Sequence, residues 1–197
     1  IGAVDFGLFY TFLLIPLGVT GSANAVNMSA GYNGLEAGVG AIACFFLLVI
    51  GIQTGAPTAG LIILLACLGA CLAFLLFNRF PAKVFPGDIG TLSIGAAIAS
   101  AVIISGLEKY GAVLFLPAFY ELLATVYFTF KRVERRRSCH NPVIGVDGKL
   151  SPPKGSERFT LFYFILSKKK MSEAHLVAVV WALYALCGFI ALALYYF

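Results

Sequence analysis

Residues 59–77 read AGLIILLACLGACLAFLLF, nineteen consecutive positions without a charge, a proline or an amide side chain. A helix rising about 1.5 Å per residue needs roughly 20 such residues to cross a hydrocarbon core. No soluble core demands an apolar run of that length. Five further runs of this kind flank it, at residues 6–22, 37–52, 89–107, 111–130 and 176–197. The sequence therefore predicts an all-α fold, a polytopic transmembrane bundle of about six spans.

Composition agrees with that reading. Of 197 residues, 60% are hydrophobic and only 12% charged, and mean hydropathy is +0.94. A soluble domain carries roughly twice that charged fraction. The five cysteines have neither zinc-site nor disulfide-framework spacing and read as small buried apolar residues. The chain is read as a single membrane domain, 1–197, with a loop at 131–175 inside it. It begins at Ile1 within apolar sequence, and the expectation is that it forms the C-terminal part of a longer protein.

The segments between runs alternate in character. Loops 23–36, 78–88 and 131–175 are polar, whereas 53–58 and 108–110 are short. If each run crosses once, the three polar loops share one face. Of the 14 lysines and arginines, 13 fall on that face and only Lys109 on the other. The positive-inside rule makes it cytoplasmic. This placement, more than the net charge of +5, decides the reading, and no nucleic-acid partner is expected. Within the third loop, residues 146–150 read as a turn between short extended segments. Residues 159–166 are apolar but too short to cross. The lysines at 168–170 suit anionic headgroups at about 1 kcal/mol each, or serve only as an orientation signal.

The polar loops hold the residues capable of chemistry. The first contains Asn24, Asn27, Gly31, Asn33, Gly34, Glu36 and Gly38. Amide and carboxylate oxygens suit a hard cation, and glycines admit a ligand close to the backbone. The same residues also suit a helix cap and turn, and both readings stand. The Asn27-Met28-Ser29 sequon, on the inner face, is expected to be unused. The second loop gathers Arg79, Lys83, Phe85, Gly87 and Asp88. Asp88 stands at a helix start, as an N-cap or as the carboxylate of a cation-bound diphosphate site. The third carries Arg135-Arg136-Arg137, then His140 and Pro142, either a solvated basic stretch or a phosphate-binding one. Glu121 lies inside the fifth run four residues after Pro117, and a structural role is expected for it.

Taken in order, N-A-x-N-x-x-x-G-x-N-G-L-E-A-G, then F-P-A-K-V-F-x-G-D-x-G-T-L-x-x-G, then a basic loop with His-x-Pro, these segments resemble the polyprenyl-phosphate N-acetylhexosamine-1-phosphate transferases. The N-G-L-E-A-G ending is similar to the branch acting on dolichyl phosphate. The resemblance implies an enzyme that moves a sugar-1-phosphate, GlcNAc-1-phosphate in the first place, from a UDP-sugar to a polyprenyl or dolichyl phosphate, releasing UMP. It implies Mg²⁺, with Mn²⁺ as the alternative, held by Asn27 and by Asp88, the catalytic carboxylate. It implies that Gly31 and Phe85 sandwich the uracil, that Asn33 hydrogen-bonds it, and that Asn24 and Glu36 support that nucleotide-binding motif. His140, Arg137 and Lys83 fall where sugar and diphosphate are contacted. The family's paired aspartates are expected upstream of Ile1, and Ser138-Cys139-His140 stands where the dolichyl branch has Arg-His-Arg. Expected partners are the UDP-sugar, the lipid phosphate and membrane lipids, and a homodimer is compatible. An archaeal or bacterial plasma membrane and the endoplasmic reticulum both fit. A lipid carrier or transporter without catalysis is the competing class.

Overall fold

The computed structural model describes residues 6–132 and 142–196. Helices α1 (Gly7–Ser29), α2 (Leu35–Thr54), α3 (Thr58–Asn78), α4 (Gly87–Ser105), α5 (Glu108–Leu114) and α6 (Leu116–Phe130) follow one another closely. A two-stranded hairpin, β1 (Val143–Ile144) with β2 (Leu150–Ser151), then leads to a short helix α7 (Leu161–Lys168) and a final helix α8 (Glu173–Tyr196). Five of these helices are long and apolar enough to span a membrane, and the count is six where the bent pair α5 and α6 is taken as one span. The chain is an integral, multi-pass, all-α membrane protein, and its only sheet among the described residues is the hairpin.

Two spans depart most from the sequence reading, each for a physical reason. The first span runs on to Ser29 instead of stopping at Ser22. Its polar residues are absorbed because Asn24 Nδ2 donates to the Thr20 carbonyl (2.8 Å) and Ser29 Oγ to the Ala25 carbonyl (2.7 Å), each bonding its own helix one turn back. The loop read as 23–36 is thereby reduced to five residues, 30–34. Earlier in α1 a π-helical turn occupies Tyr10–Leu14, just before Pro16, whose ring excludes the ordinary backbone bond of that turn. The fifth span is broken, α5 and α6 meeting at 69°. Pro117, at the start of α6, lacks the N–H that would continue α5. The apolar 159–166 stretch does not cross, as read from its length: it forms the short helix α7, which buries Phe162, Tyr163 and Leu166.

In the third loop the expected turn is the β1–β2 hairpin, fixed to the entry of α8 by Leu150 N–H donating to the Met171 carbonyl at 2.8 Å. Glu121, buried at 1% exposure, accepts the Leu161 N–H at 2.5 Å. It anchors the N-terminus of α7 to α6, a structural task.

The small residues Gly60, Gly69, Gly95 and Ala99 suggest close helix packing from the sequence, and at Gly60 and Gly95 the helices do meet closely. A Cβ on Gly95 would lie 2.6 Å from the Ser22 carbonyl oxygen and 2.7 Å from Ala23 Cα. Backbone therefore meets backbone where α4 crosses α1, and this brings the end of α1 to the start of α4. Gly69 behaves otherwise: it faces outward with nothing near it.

Gly95→Ala is expected to force α1 and α4 apart at a cost of about 1–3 kcal/mol, lowering the thermal unfolding midpoint of the detergent-solubilised protein. Gly69→Ala, with open space around it, is expected to change stability by no more than about 0.5 kcal/mol.

Candidate active site

Extension of α1 to Ser29 places Asn27 on the last helical turn, opposite the first turn of α4. There Asn27 Nδ2 donates to Asp88 Oδ1 at 3.0 Å and to Thr91 Oγ1 at 2.8 Å. Thr91 is 2% exposed, and its hydroxyl donates to the carbonyls of Gly87 and Asp88, 3.1 Å away in each case. That donor is thus committed to backbone, so the Thr91 oxygen receives the amide nitrogen and fixes which way the amide faces. Asn27 Oδ1 and Asp88 Oδ2 make no hydrogen bond among the described residues. Asp88 is exposed and does not cap α4, which starts at Gly87 behind Pro86. It sits within the first turn, where the helix dipole favours a negative charge.

The five-residue loop 30–34 has no ladder to satisfy its backbone, so side chains from three helices do it. Gly31 N–H donates to Glu36 Oε1 at 2.7 Å, and Glu36 on α2 is itself 3% exposed. Asn33 N–H donates to Glu173 Oε1 at 2.7 Å, and the Asn33 amide nitrogen donates to the same oxygen. Gly34 N–H donates to Asn78 Oδ1 at 3.1 Å, and Asn78 Nδ2 donates to the Val84 carbonyl at 2.9 Å. Asn33 Oδ1 accepts the Ala82 N–H at 2.7 Å. Gly34 stands at φ +78°, in left-handed territory that a Cβ would strain, and a Cβ there would also meet Arg79 Cα at 3.3 Å. Loops 30–34 and 79–86 and the start of α8 are thus knitted together at one end of the bundle.

The expected site residues fall into groups. Asn27 and Asp88 are in contact. Gly31 and Asn33 share the loop that follows α1, and Glu36 braces it from α2. Asn24 lies on the α1 surface, bonded to its own helix. Phe85, 57% exposed, and Lys83, also exposed, belong to the segment leading to Asp88. His140 and Arg137 lie outside the described residues. The sequence reading assigned no role to Thr91, Asn78 or Glu173. Asn78, at 0% exposure, carried one signal: a polar residue closing an otherwise apolar run. Glu173 carried none: by sequence it falls within the 131–175 loop, and the helix it opens starts three residues before the expected span. Its partner is 140 positions away.

Chemically, the described residues contain no group of three or more His, Cys, Asp and Glu able to hold a metal ion. What the cluster does offer is one exposed carboxylate and one oriented amide oxygen. That donor set fits a hard cation which takes its remaining ligands from water and phosphate, and does not fit a closed protein cage.

The family model described as glycosyl transferase family 4 matches residues 1–106, which include the whole Asn27–Asp88 cluster. The chain belongs to glycosyl transferase family 4. A Saccharolobus solfataricus protein with the provisional name UDP-N-acetylglucosamine–dolichyl-phosphate N-acetylglucosaminephosphotransferase is 33% identical over 196 residues, covering 98% of this chain and 58% of its own. A similarly named Sulfolobus acidocaldarius protein is 32% identical over 193 residues, 97% of this chain and 56% of its own. The phospho-N-acetylmuramoyl-pentapeptide-transferase of Halalkalibacterium halodurans is 44% identical over 106 residues, 54% of this chain and 32% of its own. The chain thus spans a little over half the length of the first two relatives.

Asn78→Ala in this family 4 chain is expected to leave the Gly34 N–H and the Val84 carbonyl without partners, costing roughly 2 kcal/mol. Asn78→Asp keeps the acceptor for Gly34 but sets a buried carboxylate oxygen against the Val84 carbonyl, and is expected to cost at least as much as the alanine. Unfolding midpoints of the purified protein measure both.

Proposed function

We propose that this chain carries the catalytic face of a transferase that moves a sugar-1-phosphate, with GlcNAc-1-phosphate as the first candidate, from a UDP-sugar to a polyprenyl or dolichyl phosphate. The observation that carries the proposal is the contact between Asn27 and Asp88 across 61 positions, at the one end of the bundle where the polar loops meet. A phosphate oxygen of the lipid attacks the β-phosphorus of the UDP-sugar. The bond from that phosphorus to the α,β-bridging oxygen breaks, and UMP leaves. Little covalent chemistry falls to the protein, so positioning and charge stabilisation carry the rate.

The residues divide that work as follows. Asp88 and the Asn27 amide oxygen hold Mg²⁺, or Mn²⁺ in its place, which when bound neutralises charge on the diphosphate. Thr91 keeps the Asn27 amide turned so that its oxygen is the atom presented. Lys83, with Arg137 and His140 of the third loop, supplies positive charge toward diphosphate and sugar. Gly31 admits the uracil ring to the backbone and Phe85 covers its other face. Asn33 already uses one N–H and one lone pair within the chain. An amide has two of each, so one donor and one acceptor remain for the edge of a uracil. The face is cytoplasmic by the positive-inside rule, where a soluble nucleotide sugar meets a membrane-bound phosphate.

The test is Asp88→Asn in the full-length protein, with UMP release followed from UDP-GlcNAc and dolichyl phosphate. The expected result is a loss of roughly 10²- to 10³-fold in turnover, the scale seen when one transition-state charge contact is removed. An unchanged rate contradicts the proposal. Lipid flux without UMP release would instead favour a carrier.

A further inference from the structure

From the bonding of the 30–34 loop we infer that Glu173, on the last span, is a positioning residue for the nucleotide half of the donor substrate. The inference rests on the transferase reading above. It starts from an asymmetry in how that loop is held. Gly31 is tied by Glu36 and Gly34 by Asn78, each through a single backbone bond. Asn33 is tied twice by one atom: Glu173 Oε1 accepts both its backbone N–H and its side-chain amide. A single oxygen thus fixes the backbone and the side-chain torsion of the same residue together.

The rest of the geometry shows what that oxygen controls. With its nitrogen on Glu173, the Asn33 amide must turn its oxygen the other way, and there it receives the Ala82 N–H at 2.7 Å. Ala82 belongs to the segment that continues to Lys83, Phe85 and Asp88. Glu173, Asn33 and Ala82 therefore form one line of hydrogen bonds joining the last span to both polar loops. Removing the Glu173 oxygen frees Asn33 to rotate, and its remaining donor and acceptor then no longer point in one direction. Asp88 and Asn27 are held separately, through Thr91, so the diphosphate end of the site is spared.

Glutamate suits the position. It lies in the first turn of α8, where the helix dipole stabilises a carboxylate, and bonds from N–H groups to a charged acceptor are stronger than neutral ones. Its length also matters: the next shorter acid sets the oxygen back by one methylene.

Full-length wild type, Glu173→Ala, Glu173→Asp and Glu173→Gln provide the test, in two measurements. One is steady-state UMP release with UDP-GlcNAc varied at saturating dolichyl phosphate. The other is backbone hydrogen exchange over residues 30–35. Ala and Asp are expected to raise KM for UDP-GlcNAc about ten-fold with kcat within about three-fold, and to speed exchange in the loop. Gln, whose Oε1 can accept both bonds, is expected to stay within about three-fold of wild type in KM and to keep the loop protected. A purely architectural role would instead lower kcat with the active fraction and leave KM alone. That pattern overturns the inference, as does unchanged KM and exchange in Ala and Asp. If the Ala variant does not fold, the Asp variant decides, since it keeps the charge at the helix start. If wild type itself releases no UMP, the transferase reading fails, and the inference, which rests on it, is overturned with it; faster loop exchange in Ala and Asp would then show the brace alone.

Discussion

Hydrocarbon offers no partner for a backbone N–H or C=O, and every other feature of this chain follows from that constraint. The spans must be helical, and helices that cross in turn return to the same side on every second crossing. Loops 30–34 and 79–86 and the entry to α8 consequently meet at one end of the bundle. There the chain bonds its non-helical backbone without a sheet, using a small number of side chains. Glu36, Asn78 and Glu173 each take up loop N–H groups. Three side chains from three helices thus hold the loop in one shape.

A second constraint is steric. Asn27 reaches Asp88 only because α1 and α4 touch backbone to backbone at Gly95. The helix pair sets the distance, and Thr91 sets the orientation of the amide. The resulting cluster leaves oxygens facing outward at the edge of an apolar bundle. Elsewhere in the bundle, Glu36 and Glu121 border an apolar cleft with Val26, Val39, Ile98 and Val180.

Much of this was legible in the sequence because it rests on local signals. Long apolar runs gave the spans, the one-sided lysines and arginines gave the common face, and the ordered motifs gave the family. What was not legible depends on contacts between distant positions. Polarity argued against helix at Asn24 and Asn27, yet Asn24 bonds its own helix and Asn27 bonds α4. Pro117 was visible, but the 69° break it accompanies depends on how α6 packs. Glu173 falls by sequence in the third polar loop, since the helix it opens is expected to start at 176 and its partner is 140 residues earlier. His140 and Arg137 remain sequence expectations, lying outside the described residues.

In the proposed reaction Asn27 and Asp88 act as one unit on the diphosphate of the donor. A double-mutant cycle addresses this directly: UMP release by full-length Asn27→Ala, Asp88→Ala and the double variant, at saturating Mg²⁺ and substrates. If the two side chains share one task, the double variant will fall within about three-fold of the worse single variant. Losses that multiply, so that the double variant is as slow as the product of the two singles, would show that the residues act independently and would contradict the account.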